Sequence, residues 1–554
     1  MPDTYSILDG VTPEDLGLPS KFADFREIQR EAVQFGLYGP GSGVDERRFI
    51  AMGAPTGCGK SLLATALGKM AGCKYAILTA TRALEDQLVS DFSPSGLVNI
   101  RGRRNYHCVD PDRAGDPTWD CDRGDEDGCP RSDGPHCTYR SQVEEAKASR
   151  AIVTNYAYWM NVRSRNSMGL EEEGCVDPIG LLICDEAHKA ADELSRFLGV
   201  WVSLADLHKW AGEPVRQCVE AAGGREWGVL TPAWIDALTM AWGAASRRSK
   251  EIEKWFASAA AAFRTSKEYR RLEKLIGDLE RVVSLGADNN WLWRVTKSGI
   301  AFDCIWPGRY AERYLWTGVP KIVLMSATLR PKALSMVGLS EAKYWFREWP
   351  RVFPAANNPV VWIPTGKMGV KAGEDELAKA IARADEIYDE WAPGFKGIVH
   401  TASYRRAEWL QSKSRWGRHM LLNKSGEAVS MLERFKNAAP PAILVSPSYT
   451  TGFDIPPEAM AGDQWWQHVL KLPFADLGDP IVSARRESDA DWLDYDTMQT
   501  LVQSCGRQNR ASHHKCTVMI TDDAVGRFRR YAARHAPAWF RVTESKTVPR
   551  APRV

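Results

Sequence analysis

The sequence predicts an α/β chain built on two parallel-sheet domains, with two insertions inside the first. Three observations predict it. Short apolar runs bounded by turn residues recur in two regions, with helix-like segments between them. A glycine-rich loop follows the first of these runs and opens a helix-like segment. Two long stretches inside the first region break the alternation.

The first region holds runs at 49–52, 75–79, 151–154, 181–184 and 321–325. The second holds runs at 397–399, 443–445, 469–472 and 517–520. Apolar runs alternating with helical patterns are the signature of parallel strands buried on both faces. Of the two stretches that break the pattern, 98–150 is rich in Asp, Gly, Pro, Arg and Cys and shows no period. Its apolar content is too low for a core, so it needs another staple. The second, 190–295, reads as mostly helical: Leu272, Leu275, Ile276, Leu279, Val282 and Val283 follow the spacing of an amphipathic helix. The expected order is a first α/β domain over 1–97, 151–189 and 296–345, insertions at 98–150 and 190–295, a second α/β domain at 346–540 and a frayed basic tail at 541–554.

Composition narrows the class. With 554 residues there is room for about three or four domains. Hydrophobic residues make up 44% and charged residues 26%, which excludes a disordered scaffold. A net charge of +2 gives no global basic field, so any polyanion must be met by a local groove. No apolar stretch is long enough to span a membrane, and Met1-Pro2-Asp3-Thr4 does not open a signal peptide. The expected setting is the cytoplasm, of a prokaryote or of a phage-infected host. In that reducing compartment the 12 cysteines are not expected to pair as disulfides.

The loop is Ala54-Pro55-Thr56-Gly57-Cys58-Gly59-Lys60-Ser61. Thr56, Gly57, Cys58 and Gly59 supply backbone N–H groups that close around phosphate oxygens. Lys60 reaches the outer phosphates, and Ser61 offers a hydroxyl to Mg²⁺. Its partner is Leu181-Leu182-Ile183-Cys184-Asp185-Glu186-Ala187-His188, an apolar strand ending in two carboxylates. A strand's carboxyl end faces the ligand crevice. Asp185 suits Mg²⁺, and Glu186 suits deprotonation of an attacking water. ATP and Mg²⁺ are therefore the expected nucleotide and metal.

Further motifs come in order along the chain, and together they resemble the superfamily 2 helicases. Phe25-Arg26-Glu27-Ile28-Gln29 looks like the adenine-sensing segment. Thr79-Ala80-Thr81-Arg82 looks like motif Ia, and Ser326-Ala327-Thr328 like motif III. Val399-His400-Thr401-Ala402-Ser403-Tyr404 resembles motif IV. Tyr449-Thr450-Thr451-Gly452-Phe453-Asp454 resembles motif V, and Gln503-Ser504-Cys505-Gly506-Arg507-Gln508-Asn509-Arg510 motif VI. The resemblance implies two RecA-like motor domains. It implies nucleotide contacts from Gln29, Gly452 and Asp454, and catalytic support from Gln503, Arg507 and Arg510. Arginines brought from a second domain stabilise charge on the transferring phosphoryl group only when the cleft closes. Strand contacts are implied for Thr81, Arg82, Thr401, Tyr404 and Thr451, although such residues also cap helices and strand ends.

Cys108, Cys121, Cys129 and Cys137 lie in the loop-rich insertion at spacings x12, x7 and x7. Four thiolates suit zinc or a [4Fe–4S] cluster; the short knuckle typical of structural zinc is missing, and spacing alone leaves both open. Their position, with Gly102-Arg103-Arg104-Asn105-Tyr106-His107 leading in and Lys471-Leu472-Pro473-Phe474 downstream, resembles the XPD/DinG iron–sulfur helicases. That resemblance implies a [4Fe–4S] cluster at 98–150, an Arch-like insertion at 190–295 and 5′→3′ movement. It implies single-stranded and forked duplex DNA as partners, with DNA–RNA hybrids as a further substrate. Two other readings fit: an ATPase translocase that does not unwind, and a nucleotide-switched binding module. Acidic residues outnumber Arg113, Arg123 and Arg131 between the first and last of these cysteines, which is unlike a phosphate-contacting surface. Arg101, Arg103, Arg104 and Arg140 flank it as alternative contacts.

Overall fold

The structure, a computed structural model, describes residues 7–41, 47–108, 121, 137–166, 178–221, 223–255, 267–286, 290–369, 372–422, 428–446, 457–460, 462–506 and 511–553. Its frame is two seven-stranded sheets, each parallel throughout. The first runs Tyr344–Glu348, Phe49–Gly53, Lys321–Ser326, Leu181–Cys184, Tyr75–Thr79, Ala151–Asn155, Leu97–Asn99 in spatial order. Every residue of Phe49–Gly53, Tyr75–Thr79 and Leu181–Cys184 is buried. This is why these strands read as unbroken apolar runs: helices cover both faces. Phe49, Ala51 and Leu182 feed the core on one face, and Ile50, Met52 and Ile183 the core on the other.

The second sheet runs Met420–Leu422, Ile443–Ser446, Gly397–His400, Gln464–Val469, Lys515–Asp522, Val360–Gly366, Val542–Glu544. One strand differs from the expectation. The apolar run 469–472 lies almost wholly beyond the strand, which is Gln464–Val469. Gln467 and His468 disguised it. Both are fully buried, and His468 is satisfied by Tyr388 at 2.9 Å and Thr521 at 2.8 Å. Burial pushes its imidazole down to about 3, so it packs as a neutral group.

The tail differs as well. Val542–Glu544 pairs with Val360–Gly366, and the Trp391 indole donates to the Pro549 carbonyl at 2.8 Å. This stretch is an edge strand with an anchor, not a frayed end. The boundary near 345 also shifts, because Tyr344–Glu348 pairs with Phe49–Gly53 at the edge of the first sheet.

The second insertion holds the expected helices Pro232–Trp255 and Lys267–Leu285, with Leu272, Leu275, Leu279 and Val282 buried. It also holds an antiparallel sheet, ordered Val200–Ser203, Gly299–Cys304, Trp291–Val295, Trp227–Val229. The strand Gly299–Cys304 carries this unit past residue 295. Its strands are three to six residues long, and helices separate all but the hairpin Trp291–Val295/Gly299–Cys304, so no alternation was visible in sequence. No helix among the described residues is long and apolar enough to cross a membrane.

Candidate nucleotide site and its links across the cleft

The phosphate loop leaves the buried strand Phe49–Gly53 and enters the helix Lys60–Met70. Gly57 and Gly59 take φ of 81° and 80°, a region costly for residues with a Cβ. At Gly59 a Cβ would also stand 2.5 Å from the Gln29 amide nitrogen. Gln29 braces the loop: its Nε2 donates to the Cys58 carbonyl at 2.8 Å, while its Oε1 accepts from Arg26 N at 2.9 Å. Arg26 also donates to the Gly57 carbonyl. The side chain expected to sense adenine therefore holds the loop backbone in this conformation. Cys58 contributes backbone only, since its side chain is buried and its thiol is pushed up to about 11 by burial.

Opposite the loop, Asp185 and Glu186 end the strand Leu181–Cys184. Glu186 sits at φ 49°, a strained position for a residue with a side chain. Its carboxylate lies 3.5 Å from Lys60 Nζ. Burial would lower the Lys60 ammonium, but the carboxylates of Glu186 and Asp185 outweigh it and raise it. Burial and the neighbouring Glu186 raise Asp185 to about 6. Burial alone would raise Glu186 too, yet Lys60 and the hydrogen bond with His188 hold it well below the usual carboxylate range. The pair thus divides its roles. Glu186 stays ionised, and Asp185 becomes fully ionised when a further cation arrives.

From Glu186 a bonded chain crosses the cleft. Ser326 Oγ donates to Glu186 Oε2 at 3.1 Å, and His188 Nδ1 lies 2.8 Å from Ser326 Oγ. Gln503 Nε2 meets His188 Nε2 and also Thr328 Oγ1, the latter at 3.2 Å. One set of donors satisfies all of these. Gln503 donates to His188 Nε2, His188 Nδ1–H donates to Ser326, and Ser326 donates to Glu186. Gln503 belongs to the helix Ala490–Gly506 of the second motor domain. At the end of that helix a Cβ on Gly506 would stand 3.5 Å from Thr56 Oγ1. The space between is a cleft of about 660 Å³, lined by Lys60, Ser61, Asp185, Glu186, Gln503 and Trp539 among others.

The expected site residues divide. The structure brings Gln29, Thr56, Gly57, Gly59, Lys60, Ser61, Thr81, Asp185, Glu186 and Gln503 to this one cleft. Gly452, Asp454, Thr451, Arg507, Arg510 and Cys129 lie outside the described residues. Thr81 caps the helix Arg82–Phe92 through Leu84 N, and Arg82 is exposed. Thr401 is fully buried with its hydroxyl on the Ser403 carbonyl, so it shapes a turn; Tyr404 beside it is exposed. His188, Ser326 and Thr328 stood inside quoted motifs without an assigned role. Their signal was membership of those motifs, but only the fold brings them to one point.

At the cysteine insertion, Cys108, Cys121 and Cys137 are all half-buried. Cys121 and Cys137 Sγ atoms are 4.0 Å apart, and both side chains pack on the first core. Thr138 Oγ1 donates to the His107 carbonyl at 3.0 Å, which ties the neighbours of Cys108 and Cys137 together. The Cys121–Cys137 separation suits two ligands of one thiophilic group. Arg101 is committed elsewhere: it pairs with the buried Glu85 at 3.1 Å and with Asp86.

Residues 395–543 match the helicase C-terminal domain family. No curated protein sequence matches the chain. Among solved structures, Xpd4 of S. tokodaii superposes with a TM-score of 0.60 at 14% identity, covering 94% of this chain and 100% of that one. An XPD helicase gives 0.56 at 14% identity, with 94% and 98% covered. An XPD structure described as apo gives 0.55 at 13% identity, with 94% and 100% covered. Residues 395–543 are thus similar to the helicase C-terminal domain family, and the whole chain shares the two-sheet fold of the XPD structures.

Proposed function

We propose that this chain is an ATP-dependent DNA helicase that moves 5′→3′ along single-stranded DNA and opens forked duplexes. The observation that carries the reading is the bonded chain from Lys60 through Glu186, Ser326 and His188 to Gln503. It joins the hydrolytic carboxylate to the second motor domain, which is what coupling hydrolysis to domain motion requires. Lys60 meets the outer phosphates of ATP, while Ser61 and Asp185 hold Mg²⁺. Glu186 orients and deprotonates the attacking water. Arg507 and Arg510 stabilise the transferring phosphoryl group when the cleft closes. Gly452 and Asp454 complete the nucleotide contacts. Arg82, Tyr404 and Thr451 contact the strand, with Thr81 and Thr401 shaping the turns that present them.

Cys108, Cys121, Cys129 and Cys137 would hold one [4Fe–4S] cluster. The cluster supplies a structural tie where apolar burial is too small to fold the insertion. Anaerobically purified protein should contain about four irons per chain; a single stoichiometric zinc in colourless protein excludes the cluster.

The function is tested with hydrolysis assays in the presence and absence of single-stranded DNA, and with duplexes bearing a 5′ or a 3′ tail. Strand-stimulated hydrolysis and opening from the 5′ tail are expected. Opening from the 3′ tail alone reverses the polarity. Stimulated hydrolysis with no opening leaves a translocase, and no hydrolysis leaves a binding module.

A further inference from the structure

In the second sheet the strands Gly397–His400, Gln464–Val469 and Lys515–Asp522 are consecutive neighbours, all parallel. The segments beyond their carboxyl ends therefore lie along one edge in the same order. The first strand leads into Tyr404, the second into Lys471 and Phe474, and the third into the helix Ala524–Tyr531. Of eight large exposed hydrophobic residues among those described, four gather here: Tyr404 at 45%, Phe474 at 39%, Leu477 at 46% and Tyr531 at 51%. Phe474 packs edge-on against Phe528 at 5.6 Å, which seats it on the helix. Exposed rings collected on one strip mark a contact surface.

The helix is rich in arginine, and its arginines divide by face. Arg529 pairs with Glu544 at 2.9 Å and lies 5.0 Å over Trp362, so it fastens the helix to the sheet. Arg527 and Arg530 are exposed, and among the described residues neither has a carboxylate partner. Arg527 instead lies over the Tyr531 ring at 5.0 Å. Asp522, the nearest acid on the strand, is committed to the backbone amides of Leu472, Met368 and Ala524. Cations without acids, set among open aromatic faces, suit the phosphodiester backbone and bases of a single strand.

We propose that Arg527, Arg530, Tyr531 and Phe474 form an outer single-strand contact, continuing the strand path from Tyr404 down the flank of the second motor domain. This rests on the nucleic-acid reading above. The two arginines meet successive phosphates, and the two rings offer stacking faces. None of the four residues lines the nucleotide cleft.

The test is anisotropy of labelled oligo-dT and oligo-rU of about 8 and about 24 nucleotides, short and long relative to a single groove, titrated at several salt concentrations. Arg527→Ala/Arg530→Ala should weaken the long oligomers on the order of tenfold and lower the salt slope by about 1.4, two phosphates at about 0.7 each. Binding of the short oligomers and hydrolysis without nucleic acid should not change. Tyr531→Ala should weaken long-oligomer binding by roughly tenfold with no change in slope, and Tyr531→Phe should restore it. Equal losses with dT and rU assign the contact to the shared backbone; a loss with dT alone assigns it to DNA. Wild-type affinity and slope in the double-arginine variant, with unchanged circular dichroism, overturn the proposal and leave the strip to an acidic protein partner. Failure of the unaltered chain to bind either oligomer would instead remove the nucleic-acid reading itself.

Discussion

Two of the contacts between the second domain and the preceding part of the chain are built from opposite chemistry. At the cleft, Gln503 reaches His188 and Thr328 through hydrogen bonds among short polar groups beside an open cavity. At the far contact, Arg485 is 4% exposed and packs against the edge-on pair of Trp306, at 5.5 Å, and Trp492, at 5.3 Å. Its guanidinium donates to the Ile305 carbonyl at 2.9 Å and to Asp192 at 2.8 Å. Trp306 Nε1 donates to Ser488 Oγ at 3.0 Å, and Leu292, Ile305 and Ala484 close an apolar patch beside it. A neutral hydrogen bond facing water contributes only about 1 kcal/mol net, so the cleft contact exchanges readily with solvent or phosphate. Opening the far contact takes Arg485 off the Trp306 ring, a desolvated cation–π contact worth on the order of 2 kcal/mol, and off its Ile305 and Asp192 acceptors, so this contact is costly to open. Nucleotide-driven motion is therefore expected to pivot near Arg485 and to break at Gln503.

The largest effects should come from the chemical end of the cleft contact. Lys60→Ala removes the cation facing both carboxylates, and turnover should vanish; normal strand-stimulated turnover would break the assignment of this cleft. Glu186→Gln should retain nucleotide binding by equilibrium dialysis and lose about 10²–10⁴ in hydrolysis, the usual contribution of a general base. Arg510→Ala should lower turnover by about 10³-fold.

The contrast itself is sharpened by two further variants. Arg485→Ala should destabilise docking of the two halves by about 2–4 kcal/mol, from lost packing and two lost hydrogen bonds, seen as an earlier and split unfolding transition. Gln503→Ala should leave the melting profile unchanged and cost roughly tenfold in strand-stimulated turnover, about 1.4 kcal/mol. If Gln503→Ala instead split the melting profile, the far contact would not be the pivot.

A further expected effect is one of pH. Burial and the facing Asp192 raise the Asp496 carboxyl from its ordinary 3.8 to about 7, with Arg485 pulling the other way. Between those values the folded chain keeps a proton that the unfolded chain releases. Stability should therefore fall as pH rises from about 4 to about 7 and level off above it. Asp496→Asn should flatten that slope in denaturant titrations; an unchanged slope assigns it to another group.

Much of the motor frame was legible because its strands are buried on both faces and so read as apolar runs. The phosphate loop was legible because phosphate binding needs glycine, Lys60 and Ser61 within a few residues. The strand Gln464–Val469 was misplaced because Gln467 and His468 are polar yet buried, His468 being satisfied by partners far away in the chain. The tail was read as frayed because edge pairing of Val542–Glu544 depends on Val360–Gly366 and leaves no mark on its own composition. The antiparallel sheet of the second insertion was missed because its strands are short, and its one hairpin, Trp291–Val295 with Gly299–Cys304, straddles the expected boundary at 295.

Local chemistry was thus set by the sequence itself: which residues curl around a phosphate, which strand ends in carboxylates, and where four thiols gather. Those requirements are met within a few consecutive residues, so order along the chain exposes them. Tertiary structure alone decided that Gln503 would meet His188, that Arg485 would pack on Trp306, and that Arg527 and Arg530 would have no paired acid among the described residues. Each of these joins or separates residues far apart in sequence, and only folding sets such distances.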